Sequence, residues 1–370
     1  MATQGQALPA SETMQSRSSQ RTFETIRNLW PWIFFALLVL FFTVSTKVAN
    51  NIDFLNVRTL WGITEYAAQI LICGLGQTLV IISAGIDLSV GWTVGLAAVI
   101  DALVMREMNA AGYPALPTYL CGALAAVVVC AAPGWLNGWL VARVKVPAFI
   151  ATLGMSGIVT GAAYLLSTGI PVADQPTWLG QLGNGYLAHF WPGHGFSFFD
   201  VPAEASAQQL REIIPLMPNI VFVTILVVAV LWFLLSQTQF GQHIYAIGNN
   251  MDAATRSGIP VRRTLIWVYT ISALLAAIAG LMWAARFTSG AANAGQTTTM
   301  DSVAAVVIGG ASLFGGEGRI MGTVVGSLLI ATIQFGLVML NVSPFWQYVA
   351  VGTVVIVAVI VDQFGKTLGK

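Results

Sequence analysis

Long apolar runs recur along almost the whole chain, and they constrain the fold more than any other feature. Ten are evident, at about 31–49, 62–82, 88–106, 118–142, 148–168, 215–236, 263–286, 300–315, 320–340 and 346–363. A helix needs roughly 20 apolar residues to cross the hydrocarbon core of a bilayer. Most of the runs meet that length, which predicts an all-α polytopic membrane protein of about ten transmembrane helices. The second, third and eighth runs carry glycines or a charge, and 300–315 is short. Such segments are expected to be broken or re-entrant, which is tolerated only where protein or a watery path surrounds the backbone.

The balance of residue types agrees. Only 8% of the 370 residues are charged while 56% are apolar, against roughly 25% charged in soluble domains. A soluble protein of this size could not cover its surface, whereas lipid removes the need. The net charge of +1 argues against nucleic acid as a partner. Cys73, Cys121 and Cys130 lie in apolar stretches without a C-x-x-C and read as small hydrophobes. Residues 1–29 are polar and are expected to form a disordered cytoplasmic tail before a membrane domain at 30–365, with 366–370 as a second tail.

The basic residues give the spans a direction. With the N-terminus in the cytoplasm, Arg17, Arg21, Arg27, Arg143, Lys145, Arg256, Arg262, Arg263, Arg319, Lys366 and Lys370 fall inside. Only Lys47, Arg58, Arg106, Arg211 and Arg286 fall outside. Both termini are then cytoplasmic. The long loop at 169–214 is outside, with a short polar helix expected at 203–212, and the loop at 237–262 is inside.

Glycines recur at four-residue spacing: Gly91 and Gly95, Gly134 and Gly138, Gly157 and Gly161, and Gly318, Gly322 and Gly326. Each set makes a flat helix face suited to close packing, or to sliding of one helix past another. Polar residues at membrane depth are candidates for a translocation path: Gln77, Asp87, Ser89, Asn137, Thr152 and Gln334. Asp87, in ISAGIDLSVG, can alternatively cap the third span. Asp101 can face the outer interface near Arg106 and Glu107.

Catalytic and cofactor signatures do not emerge. GKT at 365–367 lacks the glycine that a phosphate loop needs, because position 360 is Ile. His189 and His194 are five apart with no third ligand evident. No metal or cofactor is expected, and no enzymatic activity.

The inside loop is the sharpest local signal. NNMDAATRSGIP reads as a short helix that Asn250 or Asp252 caps, Ala253, Ala254 and Thr255 continue, Gly258 stops and Pro260 keeps from extending. Beside Arg256, Arg262 and Arg263, such a helix suits docking into a cytoplasmic partner, or tethering at the headgroups.

Five blocks in consistent order resemble permease subunits of ribose-type ABC importers: AGIDLSVG (84–91), LNGWLVARVKVPAFIATLGM (136–155), FGQHIYAIGNNMDAATRSGIPVRR (240–263), AAVVIGGASLFGGEGRIMGTVVGSLL (304–329) and SPFWQ (343–347). The resemblance implies a bacterial inner-membrane subunit that pairs with a second permease subunit around one sugar path. It further implies a separate ABC ATPase and a periplasmic substrate-binding protein. It implies that Asn250, Met251, Asp252, Ala253, Ala254, Thr255, Arg256, Ser257 and Gly258 couple to that ATPase. Asn249, Asn250 and Met251 depart from the more acidic residues common there, and the outer loop is longer than the usual pattern. The runner-up is an ion-coupled secondary transporter with Asp87 and Asp101 as its ion site. A third reading is a membrane enzyme using His189 and His194 with Asp174 or Asp200.

Overall fold

The computed structural model describes residues 31–198, 213–343, 345–354 and 356–357. The N-terminal tail, the expected helix at 203–212 and the GKT segment lie outside them.

The chain is mostly helical. In order it forms α1 (Pro31–Asn50), α2 (Val57–Ile82), α3 (Val90–Ala110) and α4 (Ala115–Trp139), which runs into a π-helical turn at Leu140–Val144. α5 (Ala148–Ser167) and the short α6 (Thr177–Asn184) follow. After three strands come α7 (Asn219–Gln237), α8 (Gln239–Asn249), α9 (Met251–Arg256), α10 (Val261–Phe287), α11 (Thr298–Ile308) and α12 (Ile320–Met339). Residues 345–354 are helical again. α4, α5, α6, α7 and α10 each start directly after a proline, at Pro114, Pro147, Pro176, Pro218 and Pro260. Each fixes one backbone angle at a helix entry and forgoes no needed N–H.

Among the described residues, seven helices are long and apolar enough to cross a membrane: α1, α2, α4 with its π turn, α5, α7, α10 and α12. α11 has 11 residues, roughly 16 Å at 1.5 Å per residue, about half a crossing. It is flanked by the irregular stretches 288–297 and 309–319. The expected interruption therefore falls here. The second and third runs are different: α2 (26 residues) and α3 (21 residues) are continuous helices, and their glycines make room for neighbouring side chains and backbone rather than break the helix.

α2 and α10 lie side by side at the centre. α11 and α12 pack on the α2 side, α3 and α4 on the α10 side. The membrane-length window of α2 is 83% buried, that of α1 only 11%, so α2 is enclosed by the chain while α1 lies at its periphery. Glycines make the close approaches. Gly95 in α3 abuts the carbonyl of Ala292, Gly138 in α4 abuts the backbone at Ile266, and Gly326 in α12 abuts the carbonyl of Ala305. Gly157 and Gly161 in α5 face open space instead.

The 169–214 loop is not purely helical or irregular. It holds a three-stranded antiparallel sheet in the order β2-β1-β3, with β1 (Ala188–Trp191), β2 (Gly195–Phe198) and β3 (Ile214–Pro215). The sheet is a local addition to a chain that is otherwise mostly helical, as expected of a polytopic membrane protein. The aromatic residues of AHFW and GFSF, such as the opposed Phe190 and Phe196, suit a pleated hairpin turning at Pro192–His194.

Candidate functional site

Five of the six path candidates meet in one buried cluster where α2, α3, α4, α5 and α10 converge. The chain between α2 and α3 makes a sharp turn, with Ala84 in the left-handed region (φ 61°). Asp87 follows that turn. Its Oδ1 accepts the Ser89 N–H at 3.0 Å and the Ser89 hydroxyl at 2.6 Å, and its Oδ2 accepts the Ser272 hydroxyl of α10 at 3.0 Å. Gln77 of α2 donates to the Asp87 carbonyl at 2.6 Å. Asn137 of α4 donates to Ser89 Oγ at 3.0 Å. Thr152 of α5 donates to the Ile86 carbonyl at 3.1 Å. Asp87 is 1% exposed, and Gln77, Asn137 and Thr152 are fully buried.

This arrangement has a plain electrostatic logic. A carboxylate removed from water needs donors for its lone pairs. Three donors, two of them hydroxyls from different elements, supply them. The residue at the helix N-cap position is Ser89, whose side chain caps nothing. Asp87 sits two residues earlier and performs the capping in an Asx-type turn while also reaching α10. Ser272 was not among the sequence candidates; its spacing in an apolar helix carries no signal until α10 is placed beside Asp87.

Gln334 stands apart from this cluster. Its amide donates to Asp301 Oδ2 at 3.2 Å, joining α12 to the short α11. Asp101 is fully buried in α3, and neither carboxyl oxygen has a hydrogen-bond partner among the described residues. It faces Gly122 of α4, away from Arg106, which pairs with the exposed Glu107 at 2.9 Å. His194 stacks on Trp191 with ring centroids 3.7 Å apart, and His189 meets Tyr186 edge-on. Cys121 is exposed on α4, while Cys73 and Cys130 are buried.

The 237–262 loop is a helix pair. Thr238 caps α8 by accepting the Gly241 N–H, and Asn250 caps α9 by accepting the Ala253 N–H at 2.9 Å. Gly258, at φ 82°, ends α9 in the left-handed region. Ala254 is the buried contact of α9 and packs with Ile247, Ala142, Val261 and Leu265. Met251, Asp252, Ala253, Thr255, Arg256, Ser257 and Gly258 are exposed. α9 is thus a small knob held on the ends of α4 and α10 by one alanine. Tyr245 of α8 donates to the Gly318 carbonyl at 2.7 Å, and burial pushes its phenol pKa up, with Arg319 opposing. α8 and α9 sit at the Ile82 end of α2, where the Gly316 N–H reaches the Ile82 carbonyl. The sheet lies at the other end, where Trp61 donates to the Pro215 carbonyl at 2.8 Å.

Comparison with known proteins gives the context for this geometry. The fructose import permease protein of Rhizobium meliloti is 36% identical over 84% of this chain and 79% of its own length. The ribose import permease protein of Escherichia coli K12 is 34% identical over 95% of this chain and 99% of its own. The xylose transport system permease protein of Haemophilus influenzae is 35% identical over 90% and 94%. These relatives are transport subunits, not enzymes. No solved structure matches this chain. Residues 59–359 match the family model described as branched-chain amino acid transport system / permease component, and the chain belongs to that family of multi-pass inner-membrane permeases.

Proposed function

We propose that this chain is the membrane-spanning permease subunit of an ABC importer for a monosaccharide or related polyol. In this reading it crosses the inner membrane about ten times, with both termini cytoplasmic. A second permease subunit completes the path, a separate subunit hydrolyses ATP, and a periplasmic binding protein delivers the sugar. The observation that carries the reading is near end-to-end similarity to permeases named for ribose, fructose and xylose. The capped knob of α9 supports it. Asn250 to Gly258 would seat in the ATPase, and motion of α9 would pass through Ala254 and Ala142 into α4 and α10.

Gln77, Asp87, Ser89, Asn137 and Thr152 would border the path only when α2, α4, α5 and α10 separate. In the closed arrangement they hold those helices together. Gln334 would act through α11. Sugars are neutral polyols, so hydroxyl and amide groups suit such a path better than a ring of charges.

An ion-coupled transporter fits less well. Its ion site would need Asp87 and Asp101 together, yet the start of α3 and Asp101 are roughly 17 Å apart along one helix. The deciding experiment is uptake of labelled ribose, xylose or fructose into vesicles holding this chain with the ATPase and binding protein produced alongside it. Uptake that survives collapse of ion gradients and stops without ATP is expected. Uptake that follows an ion gradient and ignores ATP would overturn the proposal.

A further inference from the structure

At the sheet end of the central helix pair lies a second group of polar side chains that the reading above leaves unused. A cavity of about 180 Å³ opens between α2, α7 and α10, lined by Glu65, Tyr66, Gln69, Trp283, Arg286 and Phe287 among others. That is ample for several waters, since one needs roughly 10–15 Å³ by the same measure. Arg286 lies 3.4 Å from Glu65, and both side chains are largely shielded, at 24% or less exposed. The same guanidinium sits over the Tyr66 ring, 5.2 Å from its centroid. Trp283 and Phe287 lie 4.7 Å apart on the α10 wall. Gln69 is held by the Ala294 carbonyl at 3.2 Å.

The outer loop closes over this place. Asn184 donates to the Arg286 carbonyl at 2.9 Å. The Tyr186 phenol has its pKa raised, first by burial and then by the nearby Glu65 charge, with Arg58 and Arg286 opposing. Glu65, Arg286 and Tyr186 therefore share one electrostatic neighbourhood.

We propose that this cavity is a binding subsite for a neutral, polyhydroxylated ring. The argument is chemical. Glu65 can only accept hydrogen bonds and Arg286 can only donate them, so adjacent hydroxyls of one ring satisfy both without disturbing the pair. The two charges cancel, so a charged ligand gains no net attraction. A zwitterionic amino acid would have to place both of its charges beside a Glu65 and Arg286 that already neutralise each other, where each charge gains less than beside a lone partner. The aromatic wall of Trp283 and Phe287 offers an apolar face for the C–H side of a ring, the mix of apolar wall and few convergent polar groups that small-molecule sites use. The assignment rests on the sugar-permease reading for its substrate class, and on the cavity alone for its location.

The test is protection from labelling. Tyr66→Cys is built in a Cys121→Ala background, because Cys121 is the exposed native thiol. The full chain is purified and reacted with a water-soluble maleimide. Ribose, xylose or fructose at twice its dissociation constant slows the reaction about threefold. Adding Trp283→Ala abolishes the protection, read as the ratio of the rates with and without sugar in that same variant. Protection by leucine and by none of the sugars overturns the assignment. So does absence of protection by every sugar in a chain that supports ATP-driven sugar uptake, a result that leaves the proposed function standing.

Discussion

Asn137 of α4 donates to the hydroxyl of Ser89, 48 residues earlier, at 3.0 Å, and that hydroxyl donates to Asp87 at 2.6 Å. The relay ties α4 to the turn between α2 and α3. Hydrogen bonds between membrane helices average about 0.6 kcal/mol, and those to charged groups reach roughly 1.5–3 kcal/mol. A double-mutant cycle of Asn137→Ala and Ser89→Ala, read by thermal unfolding in detergent, should give coupling of about 1 kcal/mol. Additive losses would show that the two side chains act independently.

Asp101 should behave in the opposite way. A buried carboxyl without a partner costs stability rather than supplying it. Asp101→Asn is expected to leave the unfolding midpoint unchanged or raise it. A loss of about 3 kcal/mol or more, the cost of breaking a buried pair, would mean that the carboxylate is satisfied in the native protein.

The glycines divide by what they face. Gly95→Ala would press a methyl group against the Ala292 carbonyl, and overpacking of this kind costs roughly 1–3 kcal/mol. Gly157→Ala meets open space and should gain some of the roughly 1 kcal/mol by which alanine exceeds glycine in a helix. The ordering of the two unfolding midpoints, with Gly95→Ala below the parent and Gly157→Ala at or above it, checks the packing directly.

The α9 knob yields two separable effects. Arg256→Glu changes an exposed charge, so it should weaken co-purification with the ATPase and slow transport without lowering the unfolding midpoint. Asn250→Ala removes the cap, costs about 1 kcal/mol, and should weaken ATPase association through fraying of the helix. If both variants retain full association and transport, the coupling role of residues 250–258 is excluded.

Much of this protein is written in local sequence. The apolar runs fix the positions of the helices because hydrocarbon demands about 20 residues of internally bonded backbone per crossing. The α9 knob was equally legible, since Asn250, Gly258 and Pro260 act within one or two helical turns. Local sequence misleads at α2, where glycines suggested a break: Gly74 and Gly76 keep the helix and instead admit Thr323 and Ser272 from other elements. The strands at 188–198 were missed because four-residue segments, one of them carrying a histidine and a Trp, give too short a pattern to read as a sheet.

Only tertiary structure decided which polar residues meet. Gln77, Asp87, Ser89, Asn137 and Thr152 each stood out singly, but nothing in their spacing could bring them to one point or send Gln334 to Asp301 instead. The same holds for Glu65 and Arg286, 221 positions apart, and for the acceptance of Ser272 by Asp87. Hydrophobicity sets where each helix lies because it depends on the residues of that helix alone. A polar cluster depends on the rotation and neighbour of several helices at once, and close glycine packing, not sequence distance, fixes those.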